Sequence, residues 1–216
     1  MQQDYILRMI QQLSGFLVRV TKLREAGQTE QALEATSEAF GTMGGLNASL
    51  VHAVSEDDLV QLLRARGSID PDRCYAIAEI LREEASIYDD LGQPDESLPR
   101  YLKSLRLHLE AFPDPREAPT QTSINALADL IDHVPASAMS LPTFDDLVIF
   151  LTESGAYALA ENVLLERRDA FPDDETLRKI GEAFYRSVLD QPDDGIEAGG
   201  LSREEAEDGL ASMRTD

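Results

Sequence analysis

Several residue types are scarce in this 216-residue chain, and each scarcity narrows the class of protein. The single cysteine, Cys74, excludes an internal disulfide, and a lone thiol is typical of a reducing compartment. The longest aliphatic and aromatic run, residues 147–151, is far shorter than the roughly 20 residues that a membrane helix needs. No basic cluster precedes an apolar stretch at the N-terminus, as it would in a signal peptide. We therefore expect a cytoplasmic protein with no membrane partner.

Basic residues are also scarce, because 19 Lys and Arg stand against 41 Asp and Glu. The net charge of −22 repels phosphate, so we expect neither nucleic acid nor anionic lipid as a partner. The hydrophobic fraction of 43% is nevertheless enough to fill a core in a chain of this mass, which excludes a disordered acidic tail.

Apolar residues recur at helical spacing from the start of the chain. Ile6, Ile10, Leu13, Leu17 and Val20 form one stripe, and Met9, Phe16 and Leu23 form an adjacent one, which predicts a long helix with a wide buried face. A second helix is predicted over residues 29–43, so that the two make a hairpin with its hinge at Gly27. No segment shows convincing period-two alternation, and the predicted fold is all-α.

The same pattern continues along the chain. Helices are predicted over residues 71–91 and 94–112 with a hinge at Gly92, and again over residues 143–154, 156–171 and 174–189. We expect N-terminal helical hairpins over 1–113, a proline-rich linker over 114–122, C-terminal hairpins over 123–189, and an acidic, mobile loop with a short terminal helix over 190–216. These parts are expected to form one continuous domain.

The surroundings of three glycines match the tetratricopeptide repeat (TPR), a two-helix motif that is recognised by small and large residues at fixed steps. The matching residues are Leu81, Ala85, Tyr88 and Tyr101 around Gly92, Phe16, Leu23, Ala32 and Ala39 around Gly27, and Phe144, Leu151, Ala160 and Pro172 around Gly155. The glycines are 65 and 63 residues apart, where the repeat has 34. The chain therefore resembles an irregular TPR-like array of antiparallel helical hairpins, an α-solenoid or superhelix.

Two segments extend this resemblance to a family. Residues 3–12 and 79–85 look like those of an uncharacterised bacterial family of short TPR-like proteins, whose resemblance supplies a fold but no established activity. In the TPR pattern, first-helix residues line a concave groove, and around Gly92 these are Glu79, Arg82, Ser86 and Asp89. The resemblance implies a protein-interaction module or scaffold with a TPR-like groove. Because the chain is acidic, we expect this groove to bind a basic or amphipathic segment of a partner protein, and the oligomeric state is left open.

Two other functions stay open: an enzyme with an unrecognised site on a helical scaffold, and a chaperone for a secreted or assembling partner. No catalytic, cofactor-binding or metal-binding residue can be assigned from the sequence, and no cofactor is expected. His52, His108 and His133 lie far apart and form no zinc-binding pair, and His108 is expected to be a half-buried packing residue. Cys74 falls in line with Leu81 on the helix, so its thiol is predicted to be buried.

The acidic segment that begins at Asp190 invites comparison with a calcium-binding loop. The comparison fails because Pro192 occupies the third ligand position and Leu201 replaces the bidentate glutamate. We therefore interpret this segment as a solvated acidic loop.

Overall fold

Helices account for 82% of the described part of the chain, which confirms the all-α prediction. The computed structural model describes residues 2–65, 68–112 and 121–214, and most of the predicted linker therefore lies outside the described residues. The chain divides into two compact units, Met1–Phe112 and Pro113–Asp216. Each unit is described by itself.

The first unit contains six α-helices within its described residues. They are α1 (Gln2–Glu25), α2 (Thr29–Ala39), α3 (Ala48–Ala53), α4 (Glu56–Leu63), α5 (Pro71–Asp90) and α6 (Pro94–Ala111). A π-helical turn, Phe40–Gly44, follows α2. Two very short antiparallel strands, β1 (Arg64–Ala65) and β2 (Ser68–Ile69), connect α4 to α5, and the prediction of helices alone missed them.

Local signals explain where these helices begin and end. The side chains of Ser55 and Asp70 accept hydrogen bonds from the backbone N–H groups of Asp58 and Arg73, and so cap α4 and α5. Gly27 and Gly92 have φ values of 69° and 67°, a left-handed conformation that favours glycine. These glycines lie between the two helices of the hairpins α1–α2 and α5–α6, as predicted.

Helix α5 forms the centre of the first unit. Its residues Ile77, Ile80 and Leu81 are fully buried, and α5 packs against α1, α2 and α6. The other helices cover only part of α1. Four residues of the two predicted apolar stripes are buried, namely Met9, Leu13, Phe16 and Val20, whereas Ile10 is 55% exposed. The prediction of a wide buried face on α1 was therefore wrong for Ile10.

The second unit also contains six α-helices within its described residues. They are α7 (Gln121–Ile131), α8 (Leu141–Glu153), α9 (Tyr157–Ala170), α10 (Glu175–Leu189), α11 (Asp193–Ala198) and α12 (Arg203–Arg214). Helix α10 packs on α8, α9 and α12. Phe144, Leu147, Leu151 and Leu164 are fully buried in this unit.

Two local predictions in the second unit need correction. The segment interpreted as a mobile acidic loop contains α11, because Ile196 is fully buried and anchors this helix. The helix predicted from Thr143 begins at Leu141, because the side chain of Ser140 caps it and Pro142 suits the first helical turn.

Candidate functional site

The four predicted groove residues lie along α5 in two pairs. Glu79 is only 6% exposed, and Arg82 donates to it from Nε (3.3 Å to Oε1) and from a terminal nitrogen (2.9 Å to Oε2). Ser86 and Asp89 form the second pair, because both contact Tyr101 on α6. The Tyr101 hydroxyl donates to Asp89 (2.8 Å) and lies 3.1 Å from the hydroxyl of Ser86. Asp89 is exposed, whereas Glu79 faces the interior.

Ion pairs connect α1 with α5 at the C-terminal ends of both helices. Arg24 donates to Asp90 (2.8 Å) and lies 3.5 Å from Glu83, and Arg82 lies 3.4 Å from Glu83 on the other side. Burial raises the pKa of Glu83, although the positive charges of Arg82 and Arg24 oppose that shift. Arg24 and Arg82 are therefore already balanced by carboxylates within the unit.

Behind Glu79, three side chains have the composition of a Ser-His-Glu triad. His108 places Nε2 3.0 Å from Glu79 Oε1 and Nδ1 3.3 Å from Ser104 Oγ. Ser104 and His108 are fully buried, however, and the Ser104 hydroxyl donates to the backbone carbonyl of Ala78. The arrangement holds α6 against α5 and exposes no nucleophile, and His108 is fully buried rather than half-buried.

A second buried polar cluster surrounds Glu84. His52 Nε2 lies 2.7 Å from this carboxylate, Arg100 Nε lies 3.0 Å from it, and the hydroxyl oxygen of Thr36 lies 3.5 Å from it. Nearby, Lys103 Nζ donates to the backbone carbonyl of His52 over 2.7 Å. These contacts tie α2, α3 and α6 to α5 and leave Glu84 buried between its partners.

An apolar groove follows the seam between α1 and α5 and has a volume of about 250 Å³. It is lined by Met9, Ile10, Leu13, Ser14, Leu17, Asp72 and Tyr75. The N-terminal halves of the two helices meet in this groove and their C-terminal ends meet at the ion pairs of Arg24, so the helices run in the same direction. Glu79 and Arg82 follow Tyr75 on the same side of α5, but the predicted groove residues Glu79, Arg82, Ser86 and Asp89 do not line this groove.

A second apolar groove, of about 240 Å³, lies between α8 and α10. It is lined by Asp145, Val148, Ile149, Thr152, Glu153, Ile180, Ala183, Phe184 and Ser187. Burial and the neighbouring charge of Asp146 raise the pKa of Asp145. This groove was not predicted from the sequence. The run at residues 147–151 carried a signal for it, since five consecutive apolar residues occupy more than one face of a helix.

A larger cavity of about 500 Å³ lies where α9, α10 and α12 meet. Its charged lining is mixed, with Arg168, Arg178, Asp169, Asp173 and Asp174. Because positive and negative side chains both line this cavity, the lining favours neither an anionic nor a cationic ligand.

Three further features of the described residues bear on function: metal ligands, the cysteine and membrane-spanning helices. No group of three or more His, Cys, Asp or Glu side chains in those residues is placed to hold a metal ion. Cys74 is fully buried, as predicted, and burial raises the pKa of its thiol to about 12. No helix within the described ranges is long and apolar enough to cross a membrane.

The two units define an all-α protein with an apolar groove between neighbouring helices in each unit. A family model described as "Family of unknown function (DUF6483)" matches residues 1–216, so the chain belongs to this family. This confirms the prediction of an uncharacterised family, whereas the likeness to TPR proteins stays a prediction. No curated protein and no solved structure matches the chain.

Proposed function

We propose that this protein is an interaction module whose TPR-like groove between α1 and α5 binds a basic or amphipathic segment of a partner protein. Two helical hairpins, α1–α2 and α5–α6, support the proposal, because their first helices run in the same direction and pack side by side. The observation that carries it is the open apolar groove on this seam, where Ile10 is 55% exposed beside the half-buried Tyr75.

The charges around the groove favour a basic partner. Asp72 lines one end of the groove, and the exposed Asp89 lies farther along α5. Arg24 and Arg82 lie outside the groove lining, and their charges are balanced by Glu79, Glu83 and Asp90. A net charge of −22 attracts a basic segment over long range and accelerates its association, while apolar contacts in the groove retain it.

Helix α1 offers a matched pair of variants for the test. Ile10 and Val18 are both 55% exposed, but only Ile10 lines the groove. The wild type, Ile10→Glu and Val18→Glu would each be used to capture proteins from the native cytoplasm, followed by mass spectrometry. We expect one stoichiometric partner that is retained by the wild type and Val18→Glu and lost with Ile10→Glu.

Both substitutions replace an exposed side chain, so both melting temperatures should stay close to that of the wild type. Equal capture by the two variants, or no stoichiometric partner for the wild type, would contradict the proposal. Arg82→Glu is a poor test, since it would place a third carboxylate beside Glu79 and Glu83 and thereby destabilise the fold.

A further inference from the structure

The groove between α8 and α10 combines an apolar floor with charges of a single sign. Phe184 and Val148 are buried beneath it, and Ile149 projects at its edge with 47% of its surface exposed. Its two charged lining residues, Asp145 and Glu153, are both acidic. The α8/α10 groove therefore offers an apolar contact and negative charge to whatever binds it.

The acidic residues stand on either side of the exposed isoleucine. Asp145, Ile149 and Glu153 follow one another at steps of four residues on α8, so each step advances by about 6 Å along the helix axis. Asp145 and Glu153 are therefore separated by about 12 Å along the axis, with Ile149 midway between them. Steps of four residues keep all three side chains within a limited arc of the helix surface.

Asp145 lacks a neutralising partner within the described part of the chain. No hydrogen bond or ion pair joins its side chain to another described residue, and the adjacent Asp146 adds a like charge. A partly buried carboxylate beside a second carboxylate is unfavourable until a cation approaches. A basic side chain that entered the α8/α10 groove at this end would relieve that unfavourable charge.

We propose that the α8/α10 groove binds an amphipathic helix of a partner protein, with basic side chains at positions i and i+8 and a large apolar side chain at i+4. A helix laid along α8 has the same rise per residue, so this pattern places a cation beside each acidic residue. The apolar side chain then lies against Ile149, Ile180 and Phe184. The pattern is symmetrical, and it fits in either direction of the partner helix.

The α8/α10 groove is a second surface, in the second unit, and binding to it does not depend on the α1/α5 groove. The probe is a labelled alanine-based peptide of about 18 residues, long enough to populate a helix alone, with Lys at i and i+8 and Leu at i+4. A control peptide has the same composition, but its two lysines are moved to i+2 and i+6, on the opposite face of the helix. Fluorescence anisotropy with the full chain measures both affinities.

We expect the first peptide to bind at least about ten times more tightly than the control. Asp145→Asn should weaken its binding about two- to five-fold, as is typical of one partly exposed ion pair, and Asp145→Lys should weaken it further. Asp208→Asn, which removes the same charge from the exposed surface of α12, should leave the affinity unchanged. The melting temperature of Asp145→Asn should not fall, because the substitution removes an unfavourable charge.

Equal affinities for the two peptides, or the absence of binding, would overturn the proposal. An equal loss of affinity with Asp145→Asn and Asp208→Asn would do the same, since net charge alone would then explain binding. Ile10→Glu separates the two surfaces: the peptide should bind this variant as it binds the wild type, whatever happens to the partner captured through the α1/α5 groove.

Discussion

His108 Nε2 lies 3.0 Å from Glu79 Oε1 in the interior of the first unit. The other ring nitrogen, Nδ1, lies 2.9 Å from the backbone carbonyl oxygen of Ser104. A carboxylate and a carbonyl oxygen accept hydrogen bonds, so each ring nitrogen of His108 faces an acceptor. Arg82 donates two further hydrogen bonds to the same carboxylate of Glu79.

Glu79 should make the stability of the protein depend on pH. Burial alone would raise its pKa, but the hydrogen bonds from His108 and Arg82 outweigh burial and lower the pKa to about 2 from an ordinary 4.5. Because the pKa is lower in the folded state, the carboxylate stabilises the fold fully above about pH 4.5. This stabilisation is lost as the pH falls toward 2.

Glu79→Gln should therefore lower the free energy of unfolding by on the order of 3 kcal/mol at pH 7, and by clearly less at pH 3. Urea denaturation at both pH values measures this difference. Glu30→Gln, a change of an exposed carboxylate on α2, serves as the control and should have little effect at either pH. A loss for Glu79→Gln that is the same at pH 7 and pH 3 would contradict the predicted role.

Lys103 should hold the C-terminal end of α3 against α6. Its buried ammonium group donates to the backbone carbonyls of Val51 (2.9 Å) and His52 (2.7 Å). Lys103→Met keeps most of the side-chain volume but removes both hydrogen bonds, and it should cost about 1.5–3 kcal/mol. Faster amide hydrogen exchange in α3 would accompany the loss, whereas Lys22→Met, at an exposed position on α1, should change neither quantity.

The helix boundaries could be predicted from the sequence where a short local signal determines them. Ser55 and Asp70 cap their helices through backbone groups three residues ahead, and Gly27 and Gly92 adopt a conformation that few other residues accept. All of these signals act within a few positions in the chain. These helix boundaries could therefore be predicted without knowing which helices pack together.

The buried charges could not be predicted in the same way. Glu79 and Lys103 look like ordinary solvent-facing residues of a helix, and in a sequence such residues normally indicate an exposed face. Their partners are distant in the chain: His108 is 29 residues from Glu79, and Val51 is 52 residues from Lys103. Only the packing of α6 against α3 and α5 decides that these charges are buried.

The two grooves depend on tertiary structure for the same reason. Ile10 continues a regular apolar stripe, and nothing local distinguishes it from Leu13, which is buried. Ile149 belongs to an apolar run that covers more than one face of α8, so its exposure could have been suspected. The acidic residues on either side of it were visible in the sequence, but their place in a groove became evident only with α10 beside them.

Cys74 should react slowly with an aromatic disulfide reagent in the native protein. Its side chain is fully buried, so the reagent cannot reach the sulfur atom. Burial also raises the thiol pKa to about 12, so the reactive thiolate is scarce near neutral pH. After denaturation in urea the same thiol should react quickly. The release of the reagent's chromophore measures both rates, and a native rate close to the denatured one would contradict the buried position.

The close packing of α10 against α12 should make Gly209 intolerant of any side chain. A Cβ at this position would overlap the ring of Tyr185, which is 1% exposed and whose hydroxyl donates to Glu161 over 2.8 Å. The ring is therefore not free to move away. Gly209→Ala should lower the free energy of unfolding by about 1–3 kcal/mol, the usual cost of overpacking a core.

Gly15 provides the matched control for this prediction. It lies within α1, and a Cβ there would meet no atom within 4 Å. Gly15→Ala should therefore stabilise the protein by up to about 1 kcal/mol, because alanine favours the helix over glycine. Both substitutions gain this helix propensity, and the difference between them, measured by thermal or urea unfolding, isolates the steric cost at Tyr185. Equal effects of the two substitutions would mean that α12 does not pack against the Tyr185 ring as closely as the structure shows.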